Sequence, residues 1–162
     1  MTGLFNRRGL HLALRKEGAR LLRSKGISAL ALIDLDDFKS VNSRYGHAGG
    51  DQVLTHVAHT LEAQLRPSDI AARVGGDEFL VLFPDADPEG AGRACERIRR
   101  ALTAPKTIRT EDGLASVTIS ASFGCAALDP EATSIEDGLL ATRATLAAAK
   151  DQGKNSVVTN RR

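Results

Sequence analysis

The sequence predicts an α+β sandwich in which helices cover a mainly antiparallel sheet. Three observations predict it. Segments with helical spacing of apolar residues alternate with short apolar runs of strand length. Two of those runs are joined by the tetrad Gly75-Gly76-Asp77-Glu78, a hairpin signal. The chain has 162 residues, 42% of them apolar, enough for one domain with one ordinary core.

Taken in order, Asn6 to Arg23 carries Leu10, Leu12, Leu14, Leu21 and Leu22 between basic residues. That pattern predicts an amphipathic entry helix, ended at Gly26. Ala29 to Leu35 is apolar enough for a buried strand. From Gly50 to Leu65, the positions Val53, Leu54, Val57, Leu61 and Leu65 recur at helical spacing, and Pro67 ends the helix. Ile70 to Val74 and Phe79 to Phe83 form the hairpin, in which glycine is expected to supply positive φ. Pro88 to Leu102 reads as a helix with proline in its first turn.

Thr107 to Arg109 and Ser116 to Cys125 are expected to form a second hairpin around Glu111-Asp112-Gly113. Ser134 to Lys150 is an Ala-rich helix that opens on a Ser-x-x-Asp capping pattern and ends before Gly153. Ser156 to Thr159 closes the chain as a β-branched strand. Strand, helix, hairpin, helix and strand in this order predict a ferredoxin-like or palm-type sandwich. Its central, mainly antiparallel sheet has five strands, with an extra small hairpin.

Composition narrows the function. Charged residues make up 26% of the chain, and the net charge of +2 is too small to argue for a DNA or RNA partner. No stretch approaches a membrane span, and no signal-peptide apolar region opens the chain. Cys95 and Cys125 are far apart in sequence, without metal-type spacing, and read as reduced thiols of a cytoplasmic protein.

The carboxylates carry the chemical signal. Asp34 and Asp36 are two residues apart at the end of a strand, so they are expected to share a face. Adjacent carboxylates repel unless a cation or donor lies between them. If the hairpin lies beside this strand, Asp77 and Glu78 join them. Hard oxygen ligands with open positions suit Mg2+ or Mn2+ held together with phosphates. Strand ends and turns are also acidic because they are solvated, and spacing alone leaves both readings open.

Gly75-Gly76-Asp77-Glu78-Phe79 spells the signature of the GGDEF domain family, the catalytic module of diguanylate cyclases. The resemblance is wider than this pentapeptide. Thr2 to Arg8 (TGLFNRR) resembles the family's opening TGLxNRR. Ile33 to Asp51 (IDLDDFKSVNSRYGHAGGD) resembles its first metal strand and guanine-binding helix. Gly124 and Lys150 to Asn155 resemble its closing strand and its AKxxGRN ending.

The resemblance implies condensation of two GTP into cyclic di-GMP, with two Mg2+ or Mn2+ ions per active half-site. Asp34 and Asp77 are then expected to bind the metals, helped by the carbonyl of Leu35. Glu78 is implied as a further ligand or as the base on the attacking 3′-hydroxyl. Phe38 and Lys39 would bind the triphosphate, Lys39 also stabilising charge, and Lys150 and Lys154 would complete the phosphate cradle. Asn42 and Asp51 would read guanine, whose ring N–H and exocyclic amine offer a donor pair that adenine lacks on that edge. Arg66-Pro67-Ser68-Asp69 stands where the family places its inhibitory RxxD site, and Arg97 where a second inhibitory arginine falls. Since each domain holds one GTP, the implied reaction needs a homodimer, and the isolated domain is expected to be mostly monomeric. The chain starts within the opening motif, which reads as one domain excised from a longer signalling protein.

The chain departs from the family pattern at Arg143 and Ala147 in the last helix, where aspartate and tyrosine are usual. Ser43, Asp37 and Lys154 replace aspartate, histidine or an aromatic, and arginine. These changes keep open a receptor that binds GTP or cyclic di-GMP without turnover. His56 and His59, spaced i, i+3, read as solvated surface histidines, and His47 as a maker of a structural hydrogen bond. Arg97, Arg99 and Arg100 alone would be a solvated helix face, and Arg66 with Asp69 alone a helix-end ion pair.

Overall fold

The computed structural model describes residues 4–132 and 134–160; Thr2 and Gly3 of the opening motif lie outside them. The entry helix α1 (Arg7–Ser24) starts at Asn6, whose side chain accepts the Gly9 N–H. Strand β1 (Ser28–Leu35) follows, then helix α2 (Phe38–Gln64). The hairpin comprises β2 (Ile70–Arg73) and β3 (Glu78–Pro84), and α3 (Pro88–Leu102) begins with proline behind an Asp87 cap. A small hairpin of β4 (Lys106–Thr110) and β5 (Gly113–Val117) precedes β6 (Ala121–Ala127). Helix α4 (Ile135–Asp151) opens on a Ser134/Asp137 capping box, and β7 (Val157–Thr159) ends the described chain.

The main sheet has five strands in the order β2-β3-β1-β6-β7. Its pairs are antiparallel except β6 with β7, which run parallel. Alternation along β1 assigns its side chains to two cores. Ala29, Ala31, Ile33 and Leu35 pack with α2 and α3 residues such as Val57, Leu61 and Ile98. Leu30 and Leu32 pack with Leu10 and Leu14 of α1 and with Ile135 and Leu146 of α4. Asp34 has the parity of Leu30 and Leu32, so it belongs to the α4 side. Phe79 and Phe123 are fully buried, and each such side chain contributes roughly 1.5–3 kcal/mol of burial.

Several expectations change. Helix α2 begins at Phe38, twelve residues before the apolar period starts at Gly50, and is broken at Gly46 (φ 70°, ψ 174°). The polar stretch from Lys39 to Arg44 has no apolar period to read, which is why spacing missed it. The run Ser116 to Cys125 is not one strand. β5 ends at Val117, pairing only with β4, and β6 restarts at Ala121 in the main sheet. Ser120 holds the corner between them, its carbonyl accepting the Asp36 N–H at 2.9 Å. Neither Gly75 nor Gly76 has positive φ; the hairpin glycine that does is Gly113, at 118°.

Cys95 and Cys125 are buried and free, and their sulfurs face each other at 3.7 Å between α3 and β6. The neighbouring Cys125 thiol and burial both push the Cys95 thiol well above its ordinary value. Among the described residues, no helix is long and apolar enough to cross a membrane.

Candidate functional site

The register of the sheet gathers the acidic residues. Asp34, one residue from the end of β1, lies directly opposite Glu78, the first residue of β3. The Leu35 N–H donates to the Asp77 carbonyl at 3.1 Å, tying the Gly-Gly turn to the same strand end. Arg73 shapes that turn: its guanidinium donates to the Gly75 carbonyl at 3.1 Å and to the Gly76 carbonyl at 2.7 Å. Gly75 leaves room for the Glu78 side chain: a Cβ there would lie 2.9 Å from a Glu78 carboxylate oxygen. The Glu78 side chain thus lies back over the turn.

Asp36 leaves this group. Its carboxylate accepts from the Ser120 hydroxyl (2.7 Å), the Ser122 hydroxyl (2.8 Å) and the Asn155 N–H (2.9 Å). The expected shared face with Asp34 gives way to a structural role at the β6–β7 edge, because β1 ends before Asp36. Asp34 is paired instead with Lys150, Nζ to Oδ1 2.9 Å. Burial pushes the Asp34 carboxyl above its ordinary value; the Lys150 ammonium opposes that, and Asp77 and Asp36 add to it. Lys154 pairs with Asp37, Nζ to Oδ1 2.7 Å.

Beside this end of the sheet, the first turns of α2 and the Gly-Gly turn enclose a cleft of about 310 Å³. Phe38, Lys39, Asn42, Asp51 and Asp77 all line it, as do His47 and Arg73. Asn42 and Asp51 line the same cleft, and Gly50 leaves room for the Asn42 carboxamide: a Cβ there would lie 1.9 Å from Asn42 Oδ1. His47 is exposed at the cleft and makes no hydrogen bond to the described residues, contrary to expectation. Arg143 and Ala147 are exposed and do not line the cleft.

Among the described residues, no three His, Cys, Asp or Glu side chains stand together as a ready metal cage. The donor set nevertheless fits a divalent cation. Asp34 lies opposite Glu78, Asp77 precedes it on the adjoining turn, and an ammonium, Lys150, already stands on Asp34 where a cation would.

A second cleft, of about 390 Å³, brings Arg66, Asp69 and Arg97 together between the end of α2 and α3. Asp69 accepts the backbone N–H of Arg66 at 2.8 Å, so the helix-end ion pair is replaced by a turn. Arg97 donates to the Gln64 carbonyl at 3.3 Å, whereas Arg99 and Arg100 pair with Glu96. Arg93, one turn before Arg97, lines the same cleft. It was legible in the sequence only as an i, i+4 arginine pair on α3. His56 departs from the surface reading: it is half-buried, and its Nε2 is buried without a partner among the described residues. Burial, then Lys106 and His59, lower its pKa. His59 is exposed as expected.

An acidic sheet end beside a cleft lined by Phe38, Lys39, Asn42 and Asp51 is the feature this α+β fold presents, and comparison with known proteins places it further. The family described as "Diguanylate cyclase, GGDEF domain" matches residues 1–156, and the chain belongs to it. The chain is 34% identical over 155 residues to the probable diguanylate cyclase DgcC of Escherichia coli, covering 96% of this chain and 41% of that protein. It thus spans less than half the length of that relative. The GGDEF domain of DgcB from Caulobacter crescentus, solved in complex with c-di-GMP, superposes with a TM-score of 0.86 at 30% identity. That match covers 97% of this chain and 91% of the solved one. The active GGEEF domain of a diguanylate cyclase from Vibrio cholerae superposes with a TM-score of 0.81 at 28% identity, covering 96% of each.

Proposed function

We propose that this domain is a diguanylate cyclase that condenses two GTP into cyclic di-GMP and two pyrophosphates. The observation that carries the reading is the adjacency of two features. Asp34, Asp77 and Glu78 lie at one end of the β1–β3 pair, and Asp77 also lines the cleft of Phe38, Lys39, Asn42 and Asp51.

In this reading Asp51 accepts hydrogen bonds from the guanine ring N–H and amine, and Asn42 completes the edge contacts. Phe38 and Lys39 hold the triphosphate. Lys150 and Lys154, at the other side of the acidic end, offset charge that builds on the departing pyrophosphate. Glu78 takes the proton of the attacking 3′-hydroxyl, worth roughly 10²- to 10⁴-fold in rate. The new bond joins the 3′-oxygen to the α-phosphorus as the bond to the β-phosphate bridging oxygen breaks. Asp34, Asp77, Glu78 and the Leu35 carbonyl would hold Mg2+ or Mn2+, which supplies Lewis-acid stabilisation of the phosphate oxygens when bound. Each domain presents one GTP, so the two-fold product requires two domains face to face. The cleft of Arg66, Asp69 and Arg97 serves as the product-inhibition site, since arginine forks suit phosphates and guanine faces.

The test is product formation from GTP and Mg2+, followed by chromatography across a wide range of protein concentration. Cyclic di-GMP that rises more steeply than linearly, and is lost in a folded Glu78→Gln variant, is the expected result. No product even in a forced dimer would leave a nucleotide receptor instead. Full activity of Glu78→Gln would remove Glu78 from the mechanism. Calorimetry with cyclic di-GMP addresses the second cleft: an Arg66→Ala variant of unchanged affinity would remove it.

A further inference from the structure

Two of the lysines assigned to the phosphates, Lys150 and Lys154, are already ion-paired. Helix α4 lies directly against β6 at Gly124, where a Cβ would meet the Leu146 backbone nitrogen at 2.2 Å. That close packing carries Lys150, at the last turn of α4, to the face of the sheet where Asp34 points. Its ammonium stands 2.9 Å from Asp34 Oδ1, with 39% of the Lys150 side chain and 14% of the Asp34 side chain exposed.

Two consequences follow from this geometry. A bare divalent cation approaching the acidic end must displace an ammonium that already neutralises Asp34. A cation that arrives bound to a polyphosphate brings its own anionic oxygens. Those oxygens give Lys150, a long and half-exposed side chain, a new partner. The exchange then replaces one charge-assisted contact with another and leaves no charge unpaired.

We infer that Lys150 is a placeholder cation, which holds the acidic end of β1 closed to free divalent ions and yields it to a cation delivered with a polyphosphate. Metal and nucleotide then load together, and the nucleotide-free domain does not accumulate bare metal at Asp34. This rests on the nucleotide reading of the cleft. It goes beyond that reading by giving Lys150 a role before substrate arrives.

The test is calorimetric titration of Mn2+ into the nucleotide-free protein, comparing the natural chain with Lys150→Met and Lys150→Arg. Removing a competing half-buried ammonium should tighten Mn2+ binding by about five- to tenfold. Lys150→Arg keeps the charge and should stay with the natural chain. A non-hydrolysable GTP analogue should tighten Mn2+ binding more in the natural chain than in Lys150→Met. Equal Mn2+ affinity in the natural chain and Lys150→Met overturns the inference, as does a gain in Lys150→Arg as large as in Lys150→Met. Thermal melts confirm folding, and Lys150→Gln carries the same comparison should Lys150→Met not fold. If the analogue does not bind the natural chain, the nucleotide reading falls. The metal-only comparison still decides whether Lys150 competes with a cation.

Discussion

Asp37 and Lys154 are ion-paired at 2.7 Å, and both occupy positions where the chain departs from the family pattern. The two departures therefore answer each other across 117 residues of sequence. Both residues have left-handed backbones, φ 54° and 66°. Asp37 holds the Lys154 ammonium above its ordinary pKa. The pair is open to solvent, with 65% of the Asp37 side chain and 45% of the Lys154 side chain exposed, so its contribution to stability is screened.

Asp37→Asn, which keeps a side chain tolerant of the left-handed region, should accordingly leave the urea midpoint unchanged. Lys154→Met should also leave it unchanged but weaken binding of a GTP analogue. A drop in midpoint for Asp37→Asn would show that the pair holds the β1–α2 turn in place.

Gly124→Ala should be among the most damaging single-methyl changes in the domain. The added Cβ would fall 2.2 Å from Leu146 N, 2.6 Å from Thr142 O and 2.7 Å from Leu146 Cα, all backbone atoms of α4. Backbone cannot rotate away as a side chain can, so α4 must lift off β6. A cost of about 3 kcal/mol, the upper end of overpacking penalties, is expected in chemical denaturation. Because α4 carries Lys150, GTP binding should weaken in the same variant. An unchanged denaturation midpoint would show that the α4–β6 contact is looser than this.

The acid limb of stability should report on Glu17. This buried carboxylate takes a bidentate contact from Arg20, at 2.9 and 2.6 Å, and the Ser28 hydroxyl, joining α1 to the start of β1. Arg20 holds its pKa below the ordinary value, with Ser28 assisting against the cost of burial. A carboxylate depressed in the folded state stabilises it above the unfolded pKa, about 4.3, and that stabilisation is lost as pH falls through the folded value. Glu17→Gln should therefore cost about 1–2 kcal/mol at pH 7, and the two proteins should converge in stability as pH falls through the folded value. A difference that persists unchanged at low pH would assign the effect to packing rather than to charge.

What the sequence made legible, and what it hid, follows from the range of each interaction. The acidic end of the sheet was readable because strand alternation and the hairpin are local rules, and they place Asp34 opposite Glu78 once β1 and β3 pair. Helix α3 was readable to the residue, since Pro88 starts it and its apolar positions repeat cleanly. The pair of Lys150 with Asp34 depends on α4 settling at Gly124, and no local spacing encodes that. The Arg73 guanidinium on the Gly75 and Gly76 carbonyls was hidden for a different reason: a lone arginine in a strand looks like surface charge. The division of Ser116 to Cys125 was hidden because Thr118 and Ile119 are β-branched and read as continuous strand, although the chain turns there between two sheets.

Gly50→Ala separates recognition from stability at the guanine end of the cleft. The new Cβ would sit 1.9 Å from Asn42 Oδ1 and 3.3 Å from Phe38 Cζ. Both are ends of side chains, so the helix need not move; the Asn42 carboxamide swings aside instead. Alanine favours the helix over glycine by about 1 kcal/mol, which offsets the crowding. The variant should therefore melt within a few degrees of the natural chain, while its affinity for GTP falls by about tenfold, the scale of one lost polar contact to a base edge. Inorganic triphosphate does not engage Asn42, so its binding should stay the same. A matched loss for both ligands would place the damage in the cleft as a whole and remove Asn42 from base recognition.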